Sequence, residues 1–298
     1  MNDTITTHQA EEDARNENIL LYVNGRILPK AQALVSVYDA GFMLGDGVWE
    51  GIRLYDGTWA FLNEHIERLF EAAKAIDLDI RMTPEAVVAA IKDTQAANGM
   101  TTDAHARLMV TRGVKSRPFQ HPALSRQGPT VAIIMEHSKP KLPRPIRLAT
   151  VPHMRGLPMT QDPKLNSHSK LNCILACIAA EKAGADEALM LDVHGFVNTT
   201  NACNFFIVRK GEVWTSTGDY CMNGITRGKV IALCKANAIP VHERNFSLVD
   251  VYSAEEAFLT GTFGAQTPVG QLDGRQIGTG QMGPLTGRLR ALYKGLLA

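Results

Sequence analysis

The stretch from residue 163 to residue 208 constrains the fold most, because an apolar helix pattern runs directly into a strand hairpin with a polar break. Apolar residues recur at the spacing of one helix face, and they are Leu171, Ile174, Leu175, Ile178 and Ala179. Ser167 or Ser169 can cap the start of this helix, and Gly184 ends it. The pattern predicts that the helix is buried along this apolar face.

The hairpin that follows carries an unusually polar segment. Residues 187–192 are typical of a strand, residues 193–195 of a tight turn, and residues 205–208 of the end of the returning strand. Between them lie residues 198–204, rich in hydroxyl and amide side chains, which we call the elbow. Lys164 and Lys170 stand just before and at the start of the helix. This combination suits a covalently attached polar cofactor, but the local pattern alone favours a surface lysine and an ordinary turn.

Composition narrows the class of protein. The chain has 298 residues, enough for two domains, with 45% hydrophobic and 20% charged residues. A formal net charge of +1 gives no electrostatic reason to expect nucleic acid or a membrane as partner, and no apolar run reaches the roughly 18 residues of a membrane span. The five cysteines lack metal-ligand spacing, so we expect reduced thiols, no metal site and a cytoplasmic protein.

The remaining pattern predicts two domains. Residues 1–18 are polar, unlike a signal peptide, and are expected to form a flexible tail. Residues 19–137 contain a hairpin at Asn24-Gly25, a strand over 48–55, helices over 63–76 and 83–98, and strands over 106–112 and 130–135, which predict a small α/β domain. The proline-rich residues 138–145 are the expected linker, and residues 146–298 the larger domain.

Several motifs outside the opening stretch carry a family resemblance. They are Gly45-Asp-Gly-Val-Trp-Glu50, Asn63-Glu-His-Ile-Glu-Arg-Leu69, Thr111-Arg-Gly113, Gly224-Ile-Thr-Arg227, Gly261-Thr262 and Thr267-Pro-Val269. With the lysine helix and the hairpin, they resemble the class IV aminotransferases, the fold-type IV enzymes that use pyridoxal phosphate. That family includes branched-chain and D-amino-acid aminotransferases and aminodeoxychorismate lyase. The resemblance runs from about Leu20 to the C-terminus and implies a two-domain α/β (α+β) fold like that of D-amino-acid aminotransferase, and a homodimer.

The resemblance also implies roles for particular residues. Residues implied to hold the cofactor phosphate are Arg68, Ile225, Thr226, Gly261 and Thr262. An arginine fork and a helix start are both suited to phosphate oxygens. Thr199 and Thr200 fall at the cofactor ring, and residues implied to contact the substrate are Trp49, Arg53, Arg107 and Arg117. His121 is displaced from the position of the family's substrate-binding histidine, so the resemblance gives little support for that role at His121.

The chain departs from the family at two positions. The family usually places a glutamate beside the pyridine nitrogen, where Thr199 stands here; threonine supplies no charge, so the ring nitrogen is expected to be less readily protonated. The covalent lysine should fall near Leu165 or Asn166, counting back from Gly184. Lys164 is favoured if residues are inserted before the helix, and Lys170 is the alternative.

These observations predict an aminotransferase that moves an amino group between an amino acid and a 2-oxo acid. Glu50-Gly-Ile-Arg53 resembles the branched-chain enzymes, and branched-chain L-amino acids are the favoured substrates. Gly45-Asp-Gly47 and Thr111-Arg-Gly113 resemble the D-amino-acid enzymes, which makes D-amino acids an alternative. An (R)-amine transaminase, a lyase of the aminodeoxychorismate type and a catalytically silent cofactor-binding relative remain alternatives.

Overall fold

The chain divides into two compact units in the computed structural model, which describes residues 5–141 and 144–297. The first, here the sheet unit, consists of Glu11–Lys139 and Leu165–Lys170. The second, here the barrel unit, contains the segment ending at Ala10, Pro140–Lys164 and the segment from Leu171 onward. One junction lies inside the expected linker, of which Leu142 and Pro143 are outside the described residues. The junctions on either side of residues 165–170 were not foreseen.

The sheet unit is built on one antiparallel sheet with the strand order β2-β1-β6-β5-β3-β4. Its strands are β1 (Leu20–Val23), β2 (Arg26–Pro29), β3 (Gly47–Tyr55), β4 (Thr58–Trp59), β5 (Ala104–Thr111) and β6 (Thr130–His137). Its helices are α1 (Ala40–Leu44), α2 (Leu62–Ala75) and α3 (Pro84–Ala97), with short 3-10 turns at Ala14–Glu17, Lys30–Gln32 and Pro122–Leu124. The long helices α2 and α3 match the predicted helices to within a residue or two.

Local chemistry accounts for several of these elements. Asn24 and Gly25 both have positive φ, 46° and 85°, which is the turn that joins twisted strands in a two-residue hairpin. Thr83 caps α3 by accepting a hydrogen bond from the amide of Ala86, and Pro84 occupies its first turn. The alternating side chains Val48, Ile52 and Leu54 of β3 are fully buried against α2 and α3.

The barrel unit contains a sheet that closes on itself. Its strands are β7 (Ile146–Thr150), β8 (Glu187–Leu191), β9 (Val197–Thr200), β10 (Asn204–Arg209), β11 (Glu212–Thr215), β12 (Val241–Glu243), β13 (Glu256–Gly261), β14 (Ala265–Leu272) and β15 (Arg275–Gln276). The order β10-β13-β14-β7-β8-β9 returns to β10 through the pair Thr199 and Asn204. Side chains from all six strands fill the interior, among them Ile146, Leu189 and Phe205.

The helices of the barrel unit pack against its sheet. They are α4 (Leu171–Lys182), α5 (Ile225–Ala236), α6 (Leu248–Tyr252) and α7 (Pro284–Lys294). Phe206 and Phe258, whose rings stack at 5.0 Å, share a buried cluster with residues of α5 and α7. The α/β architecture agrees with the predicted fold class. Throughout residues 5–141 and 144–297, no helix is both long and apolar enough to cross a membrane.

The prediction of a buried apolar face on α4 is wrong. Leu171, Ile174, Leu175 and Ile178 are 67%, 52%, 41% and 41% exposed. The face that packs on the barrel is the opposite one, where Ala176 and Ala180 are fully buried. Small side chains let the helix approach the strands closely, and that leaves the larger apolar side chains pointing outward.

The N-terminal segment also differs from the expected tail over the residues that the structure describes. Ile5 and Thr7 are each 5% exposed. The amide of Ile5 donates to Asp186 at 3.1 Å, and the amide of Thr7 donates to Glu187 at 2.8 Å. Partners 180 residues away along the chain therefore hold this segment on the barrel unit. A polar sequence gives no sign of such distant partners.

Candidate functional site

The elbow between β9 and β10 buries two hydroxyl groups. Thr199 and Thr200 are 4% and 1% exposed. The Thr199 hydroxyl donates to the carbonyl of Cys203, and the Thr200 Oγ accepts from the amide of Cys203 at 2.8 Å. Asn198 Oδ1, one residue earlier, is buried and has no hydrogen-bond partner among the described residues. The elbow thus presents fixed, buried polar atoms at one end of the barrel.

The N-terminus of α5 lies against the elbow. Gly224 is its N-cap and supplies no side-chain cap, and the first turn contains no acidic residue. A Cβ on Gly224 would overlap Asn204 Oδ1, so a larger residue there would have to displace the Asn204 side chain or the helix start. Thr226 is 3% exposed, and Ile225 is half-buried. Amide groups of an uncapped first turn are suited to an anion such as phosphate.

A second hydroxyl-bearing turn, between β13 and β14, approaches the same elbow. Gly261 and Thr262 are half-buried there, and a Cβ on Gly261 would lie 3.1 Å from Cys203 Sγ. Thr260 Oγ1 is buried without a partner among the described residues. The structure therefore brings the elbow, the second turn and the α5 start together within the barrel unit. Their donors and open polar atoms fit a phosphate-bearing cofactor.

We expect Gly224→Ala to weaken cofactor binding about tenfold, roughly 1.4 kcal/mol, because the added methyl group must displace Asn204 or the helix start. Gly228→Ala is the matched control, since its Cβ would meet nothing within 4 Å on the same helix. Fluorescence titration of the apoprotein with pyridoxal phosphate measures both. Equal affinities for the two variants would show that the start of α5 does not contact the cofactor.

In the sheet unit, Arg68 is held by a carboxylate that sequence reasoning did not single out. Its guanidinium donates to both oxygens of Glu50 at 2.7 Å, and His65 Nδ1 lies 2.7 Å from Glu50 Oε2. Burial alone favours the neutral carboxyl, but the hydrogen bonds from His65 and Arg68 outweigh it and lower the pKa of Glu50. The sequence signal for Glu50 is a charged residue on the strand face that otherwise carries the core side chains Val48, Ile52 and Leu54.

The opposite face of β3 gathers the residues predicted to contact substrate. The Arg107 guanidinium lies 3.9 Å from the centre of the Trp49 ring, and Lys170 Nζ lies 5.8 Å from it. Arg53, on the same face by alternation, is 3% exposed, pairs with Asp103 at 3.1 Å and stacks on Tyr55 at 4.5 Å. Burial lowers the pKa of Arg107 from its ordinary value. Cations and an aromatic ring on one face suit a small carboxylate.

Three predicted residues are placed differently from this group. Arg117 is exposed on the loop after β5, and His121 is used locally, its Nδ1 accepting from the amide of Ala123 at 3.2 Å. Lys164 is exposed on the barrel unit, where its amide donates to Asp162. Lys170 is half-buried beside Trp49. Asn166, at the position where the family count places the lysine, is 5% exposed and has no amine.

Comparison with known proteins agrees with the resemblance. The family model for class IV amino-transferases matches residues 47–272. A branched-chain-amino-acid aminotransferase-like protein of Arabidopsis thaliana is 41% identical over 283 residues, 94% of this chain and 51% of that protein. The chain spans about half the length of this relative and of a second one from the same plant.

Other relatives match over nearly their whole length. A putative branched-chain-amino-acid aminotransferase of Methanocaldococcus jannaschii is 39% identical, covering 93% of this chain and 96% of that protein. A D-alanine aminotransferase of Listeria monocytogenes is 33% identical, covering 91% and 93%. The crystal structure of the T.th. branched-chain amino acid aminotransferase with pyridoxamine 5'-phosphate superposes with a TM-score of 0.87 at 31% identity, covering 93% of each chain. The chain belongs to the class IV aminotransferases, the pyridoxal-phosphate enzymes of fold type IV.

Proposed function

We propose that the chain transfers an amino group between a branched-chain L-amino acid and a 2-oxo acid. The observation that carries the proposal is the meeting of the buried Thr199–Thr200 elbow with the uncapped start of α5. Branched-chain aminotransferases among the relatives and solved structures support the substrate class. When bound, pyridoxal phosphate supplies an aldehyde for the amino group and a ring that accepts electrons.

The chain's own residues then have distinct tasks. The phosphate would be held by hydrogen bonds from Ile225, Thr226, Gly261 and Thr262, and by the positive charge of Arg68. Thr199 and Thr200 would lie against the cofactor ring. The substrate is bound by Trp49 and Arg107. Arg53 beside them and Arg117 on the neighbouring loop also take part. The apolar ring beside fixed cations suits a substrate with one carboxylate and an aliphatic side chain.

Of the two lysines, we assign the covalent role to Lys170, although the count along the chain favours Lys164. Lys170 is half-buried beside Trp49, among the proposed substrate residues, whereas Lys164 is exposed next to Asp162. A lysine that carries the proton from the substrate Cα must be shielded from bulk water to retain its basicity and position. The burial of Lys170 supports that task.

Absorbance spectroscopy with an amino-donor screen tests the proposed function. We expect the spectrum of the cofactor-loaded protein to change on addition of L-leucine and to return on addition of a 2-oxo acid. A response to D-alanine alone would favour the D-amino-acid alternative, for which the 33% identical Listeria relative is the support. A response to (R)-amines, or release of pyruvate from aminodeoxychorismate, would favour those alternatives. Indifference to every donor would identify a silent cofactor-binding relative.

We also propose that the chain works as a homodimer through the outer face of α4. Four large apolar side chains, Leu171, Ile174, Leu175 and Ile178, are exposed there in one copy, and contiguous apolar patches of this kind mark interfaces. A second copy of the chain would cover them. The five free cysteines support a reducing, cytoplasmic location.

We expect Ile174→Asp to convert the dimer to a monomer while leaving the fold of each copy stable, because the side chain is 52% exposed in the single chain. Val249→Asp is the control, since Val249 is 68% exposed but lies on α6. Sedimentation velocity distinguishes the assemblies. A parent protein that sediments as a monomer, or an Ile174→Asp variant that remains dimeric, would exclude this face as the interface.

A further inference from the structure

The hydroxyl groups of the elbow are oriented by their partners. A threonine hydroxyl has one hydrogen to donate and two lone pairs with which to accept. Among the described residues, the partner of the Thr199 hydroxyl is the carbonyl of Cys203, which can only accept, so the hydrogen of Thr199 points into the elbow. Toward any further partner, Thr199 Oγ can therefore only accept a hydrogen bond through its lone pairs.

Thr200 is oriented in the same direction. Its Oγ accepts from the amides of Cys203 and Ala202, at 2.8 and 3.3 Å. Its hydroxyl hydrogen is donated to the Cys203 carbonyl at 3.1 Å or to Glu187 Oε2 at 3.4 Å. Both hydroxyl hydrogens therefore point toward acceptors of the protein itself, the Cys203 carbonyl or Glu187.

A buried carboxylate, Glu187, lies beside Thr200 of the elbow. Glu187 is 3% exposed and accepts from the amide and the hydroxyl of Thr7 as well as facing Thr200. Across residues 5–141 and 144–297, no salt bridge joins it to a cation. A buried carboxylate without a counter-ion makes the electrostatic potential around it negative.

We propose that Thr199 is an acceptor toward the cofactor and holds the pyridine nitrogen in its protonated form. The inference rests on the proposed function, because it requires Thr199 to face that nitrogen. An oxygen with only lone pairs to offer stabilises N–H⁺ and repels a neutral nitrogen, and the charge of Glu187 acts in the same direction. The elbow thereby keeps the pyridine nitrogen protonated with a neutral side chain, the task for which the family uses glutamate. This is the opposite of the sequence-based expectation, in which loss of the glutamate makes the nitrogen less readily protonated.

The test uses the full chain loaded with pyridoxal phosphate labelled with ¹⁵N in the ring, observed by ¹⁵N NMR across a pH titration. We expect the shift of a protonated pyridine near neutral pH in the parent protein. In Thr199→Val, which is nearly isosteric but cannot accept, the proton affinity of the nitrogen should fall at least about tenfold, one pKa unit. Thr199→Ser keeps the oxygen and should behave like the parent.

Glu187→Gln separates the charge from the hydroxyl, and its nitrogen should also lose proton affinity, by less than in Thr199→Val. A neutral nitrogen in the parent, or equal titrations for parent and Thr199→Val, would overturn the inference while leaving cofactor binding intact. Failure of the parent to retain labelled cofactor would instead overturn the proposed function, and the inference with it. Fluorescence titration of each apoprotein confirms that all spectra report bound cofactor.

Discussion

Lys170→Ala should abolish covalent attachment of pyridoxal phosphate and slow amino transfer by at least about 10²- to 10⁴-fold, the usual contribution of a positioned general base. Lys170 is the half-buried lysine beside Trp49, and alanine leaves no amine near that ring. Single-turnover absorbance changes with a branched-chain donor measure the rate. The cofactor should still bind through its phosphate, so its affinity should fall far less than the rate.

Lys164→Ala is the matched control, because Lys164 is the other lysine of the same stretch and is exposed. We expect it to react like the parent. Borohydride reduction of the loaded parent, followed by peptide mapping, should place the adduct on Lys170. An adduct on Lys164, or on a lysine elsewhere, would remove the assignment while leaving the family membership unchanged.

Arg68→Ala should reduce both cofactor affinity and stability. Loss of one charged contact to phosphate weakens cofactor binding by about 2–3 kcal/mol, roughly thirty- to a hundredfold. The fold should be destabilised as well, because Arg68 is paired with a buried carboxylate. Removing Arg68 leaves Glu50, 1% exposed, with His65 alone, and breaking a buried ion pair destabilises a protein by about 3–5 kcal/mol.

A double variant separates the two effects. In Arg68→Ala with Glu50→Gln, the buried charge is gone, so the free energy of unfolding should recover part of its loss while cofactor affinity stays low. Denaturant unfolding of the apoprotein and fluorescence titration measure the two quantities. If Arg68→Ala unfolds like the parent, the ion pair contributes nothing measurable; if its cofactor affinity equals the parent's, Arg68 does not reach the phosphate.

The destabilisation should also depend on pH. The pKa of Glu50 is lowered in the folded protein, with the hydrogen bonds from His65 and Arg68 outweighing burial. Its ionised form therefore stabilises the fold at pH values above the pKa in the unfolded chain, and this contribution disappears as the pH falls through the folded pKa. The difference in unfolding free energy between parent and Arg68→Ala should shrink in acid. A constant difference would mean that Glu50 is not the group left unpaired.

Local sequence chemistry determined a large part of the fold. The Asn24-Gly25 turn, the start of α3 at Thr83 and Pro84, and the glycine after it at Gly99 each depend on a few neighbouring residues. Such interactions are readable because partners a few positions apart meet in any conformation that forms the element. The same holds for the helix start at Gly224, whose anion-binding chemistry comes from the helix itself.

Tertiary structure alone decided which surfaces and charges meet. Periodicity shows that α4 has an apolar face, but the contact with β7 and β8 selected the alanine face and left Ile174 outside. Glu50 and Arg68 are 18 residues apart along the chain, and Thr7 and Glu187 are 180 apart. The types of the side chains do not predict any of these pairings. They arise because packing brings distant backbone segments together, and only then does each buried polar group find the partner that its burial requires.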